Sequence, residues 1–212
     1  MISKHNNQYI SIPKRDWRSQ LYSLITEDNS TLVDQNNMIT CKWLELVGDN
    51  ANTFTQILST NRIEQSNLIG IDIREDNIVK CRELFTEAKF EAIEWNKFCR
   101  TYKDTDIGII VFDGFTAGYG KEFNEVLEAT FDLAFRCKKN LGECIVVFNV
   151  DSDKTYRGCG YKKGLSSREV LKQSVEKVLR GFGEEIVVDV ESMYEYKQYD
   201  GSAKMLSVAV GI

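Results

Sequence analysis

The chain has 212 residues, 42% of them apolar, and a formal net charge of -5. That length supports a sizeable core in one large domain, and the acidic balance excludes wholesale electrostatic capture of nucleic acid or an anionic membrane, leaving only a local basic patch for such partners. No stretch approaches the roughly 20 consecutive apolar residues of a membrane span, and the opening "MISKHNNQYISIPKR" lacks the apolar centre of a secretory signal, so a cytoplasmic protein is expected.

Residues 1–39 read as an N-terminal extension packed on the domain that follows. They hold the only proline, Pro13, the only histidine, His5, and a short helix in "KRDWRSQLYSLI". One histidine in a polar stretch argues against zinc sites and triads built on imidazole. Six cysteines without a CxxC pair read as free thiols.

From residue 40 to residue 212, two kinds of segment alternate. "CKWLELV", "NLIGIDI", "DIGIIVFD" and "GECIVVFNV" are short and rich in Ile and Val, as expected of parallel strands buried on both faces; "KFEAIEW" reads as a shorter one. "NTFTQILSTNRI", "REDNIVKCRELFTE" and "KEFNEVLEATFDLAFRCKKN" carry apolar residues three and four apart and read as crossover helices. The alternation predicts an α/β fold with an open, doubly wound, mostly parallel sheet. After the helical "SSREVLKQSVEKVLRGF", the tail "EEIVVDVESMYEYKQY" and "AKMLSVAVGI", joined through "DGS", predicts a final antiparallel hairpin.

In such sheets, ligands bind beyond the carboxyl ends of the strands, and the loop after the first strand floors the crevice. Here that loop is "LELVGDNAN". Gly48 lets the chain turn and a ligand approach the backbone, while Asn50 and Asn52 tolerate left-handed backbone. The next strand ends in Asp72, placed to accept both hydroxyls of a ribose. A pyrophosphate needs G-x-G-x-x-G, and Asn50 and Thr53 stand at the later positions, which disfavours a dinucleotide. An adenosine ligand with a positive sulfonium instead suits Glu45, the acid inside the first strand.

"LELVGDNAN", "IGIDIRED", "IIVFDGF" and the tail "YEYKQYDGSAKMLSVAVGI" fall in an order that resembles the class I S-adenosylmethionine-dependent methyltransferases. The resemblance covers roughly residues 40 to 212 and departs in the loop, where the family carries two or three glycines and this chain only Gly48. It implies a seven-stranded Rossmann-like methyltransferase sheet and S-adenosylmethionine as cofactor. Glu45 and Gly48 would then face its methionine part, Asp72 the ribose, and Trp95 or its neighbours Glu94 and Asn96 the adenine edge, with Asn50, Asn52 and Ile73 as further cofactor-binding candidates. Asp113 would bind near the cofactor and position or deprotonate the acceptor.

Phe115 and Tyr119 in the glycine-containing segment after Asp113, with Asn149, Tyr156, Arg157 and Tyr161 after the fifth strand, are the candidate acceptor-binding residues. The loop "DSDKTYRGCGYKKGLSS" is basic and aromatic and suits a lid or a phosphate-bearing acceptor. Each candidate has a plainer reading: Asp72 and Asp113 as caps, Trp95 as a core aromatic, the loop charges as merely solvated. Magnesium could use Asp113, Asn149 and Asp151, but Phe148 stands where metal-dependent relatives carry an acid, and no metal is expected.

The function expected is therefore methyl transfer to a small molecule or RNA, with room for a protein partner. A methyltransferase-like scaffold without turnover is the alternative, and a nucleotide-dependent enzyme of another Rossmann lineage comes third.

Overall fold

The computed structural model describes residues 12–25, 31–48, 51–114, 121–151, 164–188, 193–197 and 204–212. Its elements are α1 (Ile12–Ile25), β1 (Lys42–Leu46), α2 (Asn52–Leu58), β2 (Leu68–Asp72), α3 (Glu75–Leu84), β3 (Lys89–Ala92), α4 (Trp95–Thr101), β4 (Ile107–Gly114), α5 (Lys121–Leu141), β5 (Ile145–Asp151), α6 (Ser167–Gly181), β6 (Tyr194–Lys197) and β7 (Lys204–Gly211). The strands form one seven-stranded sheet in the order β3-β2-β1-β4-β5-β7-β6. The first five run parallel, β7 runs antiparallel between β5 and β6, and the chain reverses direction across the sheet between β1 and β4.

The central strands are apolar because both faces are covered: every residue of β2, β4 and β5 is buried. On one face α4, α5 and α6 pack against Leu44, Ile71, Ile110, Phe112, Val146 and Phe148. On the other, α1, α2 and α3 pack against Trp43, Val47, Ile109, Val111 and Val147. A capping box starts α6, with Ser166 N donating to Glu169 Oε2 at 2.7 Å and Glu169 N to Ser166 Oγ at 3.3 Å. Among the described residues no helix is long and apolar enough to cross a membrane.

Three boundaries differ from the expectations. The helix expected over "NTFTQILSTNRI" ends at Leu58, because Ser59 and Thr60 turn their hydroxyls onto the carbonyls of Gln56 and Ile57, both at 2.6 Å, and Asn61 takes a left-handed conformation with φ of 54°. The run "KFEAIEW" divides: β3 stops at Ala92 and α4 begins at Trp95, burying Trp95, Phe98 and Cys99 on one face at helical spacing. Of "EEIVVDVESMYEYKQY" only Tyr194–Lys197 is strand among the described residues, while Val188 is held by Glu176 Oε1, 3.1 Å from its amide nitrogen. The "DGS" turn lies outside the described residues.

Gly108, inside β4, has a packing reason to be glycine. A Cβ there would lie 2.5 Å from Cys41 Sγ and 2.6 Å from Leu32 Cδ2. Gly108→Ala is expected to lower stability by about 1–3 kcal/mol, read from the denaturant midpoint, because the buried Leu32 segment must shift. An unchanged midpoint would mean that this segment is not held against β4.

Candidate active site at the carboxyl ends of the strands

Strand alternation brings the acidic tips together. Glu45 shares a face of β1 with Trp43 and Val47, Asp113 a face of β4 with Ile109 and Val111, and Asn149 a face of β5 with Ile145 and Val147, all on the side covered by α1, α2 and α3. Among the described residues, the buried polar side chains are Arg18, Glu45, Thr53, Asp72, Asn77, Asp113, Thr130, Asn149, Asp151, Ser174 and Ser207. Only Thr130 and Ser174 belong to the opposite side, and each is satisfied inside its own helix, by Val126 O at 2.6 Å and Val170 O at 3.0 Å. Buried polarity is therefore concentrated in one place, where packing alone would have favoured apolar residues.

Glu45 sits at the centre of it. Its Oε2 accepts from Trp43 Nε1 at 3.2 Å, and Thr53 also hydrogen-bonds the carboxyl. Burial first, then the neighbouring Asp113 charge, push its pKa up to about 7, against the opposing pull of Thr53, Arg18 and Trp43. Asp113 Oδ1 accepts from Asn149 Nδ2 at 2.8 Å, a bond between register partners of β4 and β5. Asp151 is buried at the end of β5, on the same face as Asn149. Phe148 points to the opposite face, and among the described residues no three His, Cys, Asp or Glu side chains gather as a metal cage.

Among the described residues of the loop after β1, Ala51 is left-handed, with φ of 40° and ψ of 49°, while Asn52 is already the first residue of α2. Gly48 offers its carbonyl to Cys81 Sγ at 3.3 Å, tying the loop to α3.

At the tip of β2, Asp72 Oδ1 accepts from Arg74 N at 2.8 Å and Oδ2 from Asn77 Nδ2 at 2.7 Å, so the carboxylate holds the start of α3. A carboxylate has about four acceptor positions, and these bonds leave capacity for a further ligand. Ile73, beside it, is 71% exposed, unlike the buried isoleucines of β2.

Beyond β3, Glu94 is exposed at the N-cap of α4. Trp95 is buried in the core: its indole N–H donates to Thr130 Oγ1 at 2.8 Å and its ring meets Phe112 edge-on at 5.1 Å, because the apolar face of α4 is turned inward. Its neighbour Asn96 carries a buried Oδ1 without a hydrogen-bond partner among the described residues. Asn50, Phe115, Tyr119, Tyr156, Arg157 and Tyr161 lie outside the described residues.

Sequence reasoning passed over Arg18, Thr53, Asn77 and Ser207. Arg18 Nε donates to Thr53 Oγ1 at 2.9 Å, and Trp17 Nε1 donates to Ser207 Oγ at 2.7 Å, so α1 spans from α2 to β7 across this face. The available signal was an arginine adjoining the apolar positions Trp17 and Leu21 of a short helix.

No family model matches the sequence, and no curated protein matches it either. Solved structures do match its fold. The N-methyltransferase NodS from Bradyrhizobium japonicum WM9, in complex with S-adenosyl-L-homocysteine, is 14% identical with a TM-score of 0.51, over 94% of this chain and 87% of that one. The PH0226 protein from Pyrococcus horikoshii OT3 is 16% identical with a TM-score of 0.53, over 98% and 95%. TrmN from Thermus thermophilus is 10% identical with a TM-score of 0.52, over 92% of this chain and 48% of that one. With its strand order, its antiparallel β7 between β5 and β6, and these neighbours, the chain has the fold of the Rossmann-like, class I methyltransferases.

Proposed function

We propose that the chain is an S-adenosylmethionine-dependent methyltransferase acting on a small molecule or an RNA. The observation that carries this reading is the pair of acids, Glu45 and Asp113, buried on one face of neighbouring strands at the switch point of the sheet, with the Asp113 charge opposing that of Glu45. Two confined carboxylates that repel one another form a site prepared for a cation.

The residues present fit that cofactor. Glu45 serves the positively charged methionine end and Asp72 the ribose hydroxyls. Exposed Ile73 offers an apolar surface to the adenine ring, and the unpartnered Asn96 Oδ1 is an acceptor for its amino group. Trp95 is left out of the assignment, since its indole N–H is already satisfied in the core. When bound, the cofactor supplies a methyl group activated by a sulfonium. Asp113, steadied by Asn149, is assigned to orient the acceptor nucleophile or take its proton, and proximity does the rest.

Calorimetric titration with S-adenosylmethionine and S-adenosylhomocysteine, with NAD and ATP as comparators, tests the reading. Micromolar binding of the first two alone supports it; binding of none, or of NAD or ATP in preference, overturns it. Cofactor binding without methyl transfer to any RNA or small molecule would favour the scaffolding alternative.

Asp72→Ala is expected to weaken S-adenosylhomocysteine by about 1.5–3 kcal/mol, the scale of lost charge-assisted hydrogen bonds. Because Asp72 also holds the start of α3, the titration is paired with a melting curve. Unchanged affinity in a folded variant would remove Asp72 from the site.

A further inference from the structure

On the sheet face away from Glu45 and Asp113, the outer surface of α4, α5 and α6 carries an aromatic side chain that the core does not use. Phe182 is 40% exposed, the only exposed phenylalanine among the described residues. Its backbone and its ring are both held. As the C-cap of α6 it is followed by Gly183, left-handed with φ of 83°, whose amide donates to Arg180 O at 3.1 Å. The ring packs on Phe135 of α5, with centroids 4.8 Å apart. An apolar ring held rigidly at the surface suits the anchor of a protein interface better than a place in water.

Phe182 thus bridges the groove between α5 and α6, and a cleft opens on each side of it, of about 430 and about 420 Å³. The larger has buried Ala129 and Val178 at its floor and charges around it: Glu128 and Asp132 from α5, Lys177 from α6 and Arg100 from α4. Arg100 and Gly181 lie in the last turns of their helices, so this cleft faces the amino ends of the strands and leaves the carboxyl edge, where the acids gather, free. A small anion would meet the two acids there, and a small cation would meet Arg100 and Lys177. Acids on one helix and a base on the next instead suit a surface with the same two rows in the opposite order.

A second copy of the chain presents that surface. A twofold axis running along the groove lays α5 of each copy on α6 of the other at the same height, which sets acid against base on both sides of the axis and brings the two Phe182 rings together near it. We infer that the groove between α5 and α6 is the interface of a homodimer, anchored by Phe182 and held in register by Glu128 against Lys177 of the partner subunit. The inference is independent of the proposed cofactor.

The experiment is sedimentation equilibrium on the full chain. The wild type is expected to be dimeric at tens of micromolar and to dissociate on dilution. Phe182→Ala is expected to raise the dissociation constant of the dimer roughly thirtyfold or more, the loss typical of an interface anchor. Glu128→Lys and Lys177→Glu each set like charges against one another on both sides of the axis, and each is expected to be monomeric at the same concentration. An equal mixture of these two variants restores opposite charges at both contacts and is expected to form a heterodimer. A folding defect cannot produce that rescue, and melting curves accompany every variant. A wild type that stays monomeric at hundreds of micromolar overturns the inference. So does a dimer that either charge variant leaves intact, since it uses another face, or a mixture of the folded charge variants that stays monomeric.

Discussion

Between pH 8 and pH 5, the affinity for S-adenosylhomocysteine is expected to fall by roughly a hundredfold, with most of the loss below pH 7. The reason is Glu45, whose pKa stands at about 7 because burial and Asp113 both disfavour its charge. Only the ionised carboxylate pairs strongly with the ligand's ammonium, so binding below that value must first remove a proton. Calorimetry in buffers of different ionisation enthalpy should show nearly one proton released on binding near pH 6. The groups that surround the carboxyl are Asp113 from β4, Arg18 from α1, Trp43 from β1 and Thr53 from α2. Glu45→Gln should give weak binding with a flat profile over the same range. A flat profile in the wild type would take Glu45 out of the ligand's reach.

The same shift acts on the unliganded fold with a definite sign. The folded pKa of Glu45 lies above the ordinary glutamate value of 4.5, so the folded chain holds this proton more tightly than the unfolded one. Its contribution to stability is fully present below about pH 4.5 and is lost as pH rises through about 7. Cofactor binding and fold stability thus respond to Glu45 in opposite directions, as expected of a group kept for ligand recognition at some cost to the empty protein.

The largest loss of stability is expected from Phe148→Ala, about 3–5 kcal/mol, against a total of roughly 5–15 kcal/mol for an ordinary domain. Phe148 is fully buried at the centre of β5, its ring 5.8 Å from Phe131, 6.1 Å from Phe112 and 6.3 Å from Phe123. Removing it empties the seam between the sheet and α5, where no solvent can follow. Its chain neighbour Asn149 faces the other way and holds Asp113, so the folded variant should bind cofactor nearly as the wild type does. Urea denaturation, with titration at low temperature where the variant stays folded, separates the two effects. A loss below about 1 kcal/mol would show that α5 is not packed on β5 as described.

Much of this architecture was legible because it is local. The Ile- and Val-rich runs became β1, β2, β4 and β5, the helical spacing of "KEFNEVLEATFDLAFRCKKN" became α5, and the tail became the antiparallel pair β6 and β7. Even α4 was readable, since Trp95, Phe98, Cys99 and Tyr102 keep a helical period that the apparent strand "KFEAIEW" obscured. Placing Glu45, Asp72 and Asp113 near strand tips needed only the ends of those runs. Whether Asp72 caps a helix was an open alternative; the N-cap of α3 is Arg74, and Asp72 instead braces that end through Arg74 N and the Asn77 side chain, with acceptor capacity left over.

By itself, then, the sequence determined which segments alternate, which strands are buried on both faces, and which acids end them, because periodicity and burial are recorded in neighbouring residues. Only the tertiary structure decided where side chains meet. Ala51 takes a left-handed conformation just before α2, and Trp95 turns inward to Thr130 across 35 positions. Trp17 reaches Ser207 across 190, and Arg18 arrives beside Glu45 from a helix that no motif marked. Such encounters depend on how the faces of separate elements are pressed together around one core, and no local spacing encodes that.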